Sequence, residues 1–109
     1  MLILREYIDG QGRSAFKRWF DRLAAPAAVK VRTALARLEA GNTSALKSVG
    51  AGVHEVRIDF GPGYRVYLGY DGPELVILLG GSSKARQGAV IADAQERWAD
   101  YRRHKRQGE

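Results

Sequence analysis

The chain contains no cysteine. Disulfides, thiolate metal sites and cysteine nucleophiles are therefore excluded, and the composition suits a reducing compartment. Histidine is almost absent as well: His54 and His104 stand 50 positions apart, too few and too isolated for a metal centre. No apolar run approaches the length of a membrane span. The opening MLILREYIDG carries charges within its first six residues and no run of signal-peptide length. Internal repeats and extended low-complexity segments are missing. GGSSK, at positions 80–84, lacks both the spacing and the following helix start of a P-loop. These absences leave a single cytoplasmic domain over residues 1–109, without membrane attachment, metal or cofactor, as the expectation.

What is present is positive charge. The 109 residues carry 18 lysines and arginines against 12 acids, for a net charge of +6 and a pI near 10.0. Such a balance favours nucleic acid, the ribosome, an anionic surface or an acidic protein partner. The excess is uneven. Positions 1–52 hold nine basic and four acidic residues, positions 53–83 two and four, and positions 84–109 seven and four. The centre of the chain is thus mildly acidic and its flanks are basic.

Periodicity divides the chain. LILREYI, from Leu2 to Ile8, reads as a strand closed by Asp9-Gly10. Ser14 is placed to cap a helix whose bulky stripe is Phe16, Trp19, Phe20 and Leu23, with Lys17, Arg18, Asp21 and Arg22 turned away. Pro26 suits the first turn of a second helix, carrying Val31, Ala34, Leu35 and Leu38 and stopped at Gly41. Gly41 to Gly52 reads as a polar, glycine-punctuated connector with Lys47 as its only charge. Strand alternation follows: Val56, Ile58 and Phe60 on one face; Glu55, Arg57 and Asp59 on the other. After the Gly61-Pro62-Gly63 turn, Tyr64, Val66, Leu68 and Tyr70 share one face, and Arg65 and Tyr67 the opposite one. Leu75 to Leu79 is continuously apolar, as in a central strand buried on both faces. A last helix from about Ala89 presents Val90 or Ile91, Ala94, Trp98 and Tyr101, and ends in a basic, frayed tail from about Arg102. The order strand-helix-helix-strand-strand-strand-helix predicts an α+β fold, a mostly antiparallel sheet with a helical hairpin packed on one face.

The chemistry lies in the central strands and the loop after them. An arginine in a half-buried strand is costly unless its charge is met, and in a basic protein a phosphate can meet it. Arg57 and Arg65 share a face of adjacent strands, and Lys84 and Arg86 occupy the loop after the last strand, where they could close the same pocket. Arginine suits phosphate because its planar fork meets two oxygens and it stays charged. Arg57 could instead pair with its neighbours Glu55 and Asp59. His54 is a candidate general base or acid because histidine titrates near neutral pH, although its parity matches the core face. Tyr67 is a candidate for stacking on a base or for cross-strand packing. Lys47, Arg102 and Arg103 are candidate RNA contacts on the basic flanks.

The element order, with the phrase GVHEVRIDFGPGYRVYLGYDG followed by LVILLGGSSK, resembles the RelE/ParE superfamily of toxins from type II toxin–antitoxin modules. Within it the chain is most similar to the HigB-like, addiction-module killer branch. The resemblance implies the RelE-like microbial RNase fold. It also implies ribosome-dependent mRNA cleavage at a metal-independent basic site, with Arg65 in the family's tyrosine-arginine phrase, Arg57 as the basic residue of the preceding strand, and Lys84 or Arg86 as the loop residue. Two positions depart from RelE. Glu55 stands where RelE carries a lysine, and Gln87, Gly88 and Ala89 replace the stretch that holds its tyrosine. The ParE-like alternative is a non-catalytic toxin acting on DNA gyrase; a third is a folded member without toxicity. The partners implied are a cognate antitoxin, a small helix-turn-helix protein, together with ribosome and mRNA. Operator DNA would be bound only through the antitoxin complex.

Overall fold

The structure, a computed structural model, describes residues 1–107. Its elements are β1 (Ile3–Glu6), α1 (Ala15–Phe20), α2 (Ala25–Glu39), β2 (Leu46–Gly50), β3 (Val53–Ile58), β4 (Tyr64–Asp71), β5 (Leu75–Ser83), a 3-10 turn (Lys84–Arg86) and α3 (Gln87–Gln107). The architecture is α+β. One open five-stranded sheet has the order β1-β5-β4-β3-β2. β1 runs parallel to β5, and every other neighbouring pair is antiparallel.

Local chemistry explains where elements begin. The Ser14 hydroxyl accepts from the Lys17 backbone N–H at 3.0 Å, satisfying one of the free donors at the start of α1. Proline sits in the first turn of α2, where its missing N–H costs nothing. The connector expected between Gly41 and Gly52 is instead partly strand. Leu46–Gly50 pairs with β3, Lys47 opposite Glu55 and Ser48 opposite His54. Ala51 and Gly52 join the two strands with φ of +55° and +82°, the sign that primed two-residue hairpin turns require.

The sheet is covered on both faces, not one. α1 and α2 bring Phe16, Val31 and Leu38 onto Val56, Ile58, Val66, Leu68, Val76 and Leu78. α3 brings Ala94 and Trp98 onto the opposite side, against Tyr7, Val53, Tyr67, Ile77 and Leu79. Alternate residues of β4 and β5 divide between these two cores, as the pleat demands. The face of Arg65 and Tyr67 therefore lies beneath α3 rather than in solvent. Backbone proximity makes this possible: a Cβ on Gly69 would lie 2.6 Å from the Trp98 indole. Fully burying a side chain of this size stabilises by about 3 kcal/mol.

The tail expected to fray from Arg102 continues as helix through Gln107. It is tied back to the sheet by Lys105, whose ammonium pairs with Asp71. The end of that tail, Gly108 and Glu109, lies outside the described residues. No described helix is long and apolar enough to cross a membrane.

Candidate functional site

The basic residues of the central strands meet at one end of the sheet. β3 and β4 pair Arg57 directly with Arg65, and Arg65 in turn stands opposite Ser82 of β5. Lys84 is brought to the same end because its backbone N–H donates to the Gly63 carbonyl at 3.0 Å, tying the loop after β5 to the β3–β4 turn. Arg57, Arg65 and Lys84, with Asp59 and Tyr64, line one shallow hollow of about 290 Å³. Arg57 and Lys84 are exposed and, among the described residues, form no ion pair.

Arg65 differs. It is 8% exposed, and its guanidinium donates to the Glu55 carboxylate at 2.7 Å. Glu55 is fully buried and also accepts from the Gln87 amide, at 3.2 Å, from the first turn of α3. A buried ion pair of this kind is weak evidence of net stability, yet removing one partner strands the other charge. Its structural effect is to hold Arg65 against the floor of the hollow. One of the five N–H donors of its guanidinium is committed to Glu55.

The remaining candidates are dispersed. Arg86 does not line this hollow. It lines a neighbouring one of about 450 Å³ between α1, the end of β5 and α3. His54 points to the α1–α2 face, edge-on to Tyr70 at 5.6 Å, with its buried Nδ1 unpartnered among the described residues. Tyr67 is fully buried. Its hydroxyl bonds to that of Ser82 at 3.0 Å, and burial raises its pKa. Its ring belongs to the core under α3, so stacking on a base is corrected to packing. Lys47 is exposed on the edge strand β2. Arg102 and Arg103 lie on the last turns of α3, with Arg103 paired to Asp100 at 3.3 Å and Arg102 beside Asp71 and Tyr101. That is the opposite end of the eight-residue β4, roughly 23 Å from the Arg57 hollow at strand spacing.

Three residues that the periodicity did not single out stand at the basic end. Tyr64 is half-buried and lines both hollows. Arg18 and Arg22 line the second. Arg18 lies on α1 and Arg22 in the turn just after it; their four-residue spacing puts two like charges near one another, but nothing local marks what they face. Among the described residues no group of three acids or histidines is placed to hold a metal ion.

Fold and site together define a small α+β protein with a doubly covered, mostly antiparallel sheet and a cationic hollow at one sheet end. An uncharacterized protein of Haemophilus influenzae is 42% identical over 81 residues, covering 73% of this chain and 82% of the relative; the chain belongs to the same family as that protein. No family model matches the sequence.

Proposed function

We propose that this chain is a RelE/ParE-type toxin of a type II toxin–antitoxin module, and that it arrests translation by cutting mRNA on the ribosome. The reading rests on the resemblance in its central strands. The observation that supports it most is the convergence of Arg57, Arg65 and Lys84 on one hollow, with two of the three cations unpaired among the described residues. Cleavage by internal attack requires the 2′-oxygen to lose its proton, the crowded phosphate to be stabilised and the 5′-oxygen to gain a proton. Arg57 and Lys84 supply the stabilising donors and Arg65 a fixed one; each such donor is worth about 10²–10³ in rate. Asp59, exposed at the rim of the same hollow, is the carboxylate in position to accept the proton. A cognate antitoxin of the small helix-turn-helix type covers this end and neutralises it, and binds operator DNA on behalf of the pair.

One observation favours a second reading. Neither His54 nor His104 lines the hollow, so it has no group that titrates near neutral pH unperturbed. A ParE-like toxin that occupies DNA gyrase needs no such group. Controlled induction separates the two readings. The nuclease reading expects discrete mRNA breaks, mapped by primer extension, before DNA synthesis slows. Arrest of DNA synthesis with intact transcripts would reverse the assignment.

A further inference from the structure

The neighbouring hollow holds more cations than the one just described, and they come from three separate parts of the chain. Arg18 projects from α1, Arg22 from the turn that follows it, Arg86 from the 3-10 turn and Arg97 from α3, with Asp93 the only acid in the lining. Arg18, Arg22 and Arg86 form no ion pair among the described residues. Arg97 is half-buried and donates one N–H to the Leu79 carbonyl at 3.2 Å, which anchors its head group to the wall. Four guanidinium groups gathered around one carboxylate repel one another. An anion from outside relieves that repulsion.

The floor is backbone. β1 pairs with β5 only as far as Leu78, so from Leu79 to Ser83 the strand has a neighbour on the β4 side alone. The hollow opens over Gly80 to Ser83. Gly81 must be bare, because a Cβ there would lie 2.2 Å from the Trp19 ring. Trp19 holds Tyr64 edge-on, with ring centroids 6.3 Å apart and planes at 62°. Tyr64 thus stands, held and half-buried, as the residue common to both cationic hollows.

We propose that the second hollow seats a backbone phosphate of single-stranded RNA, that Tyr64 carries a stacked base beside it, and that the same strand continues to Arg57 and Lys84. This inference rests on the RNA reading of the basic end. Cations that track the backbone and an aromatic that takes bases are the two parts of a single-strand platform. An acidic peptide would use the arginines equally well but would gain nothing from the tyrosine.

The test is binding of a labelled oligouridylate of about 12 nucleotides, a length a single-strand site can engage, to the full chain over a range of salt. Arg18→Gln with Arg22→Gln removes two exposed charges. The pair should flatten the salt slope by about 1.4 and weaken binding on the order of tenfold at 0.1 M salt. Tyr64→Ala should weaken it by about tenfold with little change in slope. Arg32→Gln with Arg37→Gln, two exposed charges on α2, should do much less. Equal loss in that control, no loss in the first pair, or no binding by the unaltered chain overturns the seat. So does polyglutamate competing as well as RNA and indifferent to Tyr64→Ala, which would reassign the hollow to an acidic protein segment. Ribosome-dependent cleavage is measured in parallel. Its absence with the RNA responses intact defeats only the nuclease reading; its presence without them defeats only the seat.

Discussion

The two ends of the sheet use the same strands, capped by the same helix, and treat charge in opposite ways. At the Asp71 end, ionisable groups are paired across elements. Tyr7 donates to Asp100 and Tyr101 to Asp71, while Lys105 closes on Asp71. Burial and these carboxylates push both tyrosines up to about 12. The hydrogen bond from Lys105 lowers Asp71, and that from Tyr7 lowers Asp100. At the Ser83 end only Arg65 is paired, and six other cations line two open hollows without an ion pair among the described residues. Paired charge at the first end docks α3 on the sheet. Unpaired charge at the second is what an anionic ligand needs, and α3 links the two because Gln87, in its first turn, holds the Glu55 that holds Arg65.

Breaking this division begins with its largest expected effect. Glu55→Ala leaves the Arg65 charge buried without a partner and should cost about 3–5 kcal/mol in urea denaturation. Next, Tyr7→Phe and Tyr101→Phe each delete one donor to a carboxylate. Each should cost about 1.5 kcal/mol while leaving oligonucleotide affinity unchanged; a change in affinity would mean that the two ends are not separable.

The pH dependence sharpens the same contrast. The lowered carboxylates contribute stability that is complete above their ordinary value of 3.8 and lost as pH falls through their folded values. The raised tyrosines contribute stability that is complete below their ordinary 10.0 and lost as pH climbs toward about 12. Near-UV circular dichroism of the Trp98–Tyr101 stack should therefore stay level between those limits and decline on either side. The smallest effect is expected at Ala51, whose φ of +55° disfavours a side chain. Ala51→Gly should raise stability by about 0.5–1 kcal/mol.

Much of this was legible in the residues. The Phe16, Trp19, Phe20 stripe, the Ser14 cap, the alternation of β3 and β4 and the apolar β5 each followed from local periodicity. Strand parity also put Arg57 and Arg65 on one face, whereas the loop offered Lys84 and Arg86 alike, and only Lys84 lines the hollow with them. β2 was hidden because Leu46 and Val49 are its only apolar residues and an Ala-Gly turn is a weak hairpin signal. The second covered face was hidden for a different reason. Glu55 and Arg65 read as two solvent-facing charges, and only their pairing lets α3 bury them together. Arg18 and Arg22 read as a solvated helix back, since no local pattern records that β5 ends beside them.

The most direct measurement is single-turnover mRNA cleavage on programmed ribosomes by the Arg57→Ala, Lys84→Ala double variant, after its fold has been checked by circular dichroism. The account predicts that the unaltered chain cuts and that the folded variant loses at least about 10²-fold in rate. A folded variant cutting at the rate of the unaltered chain would contradict it.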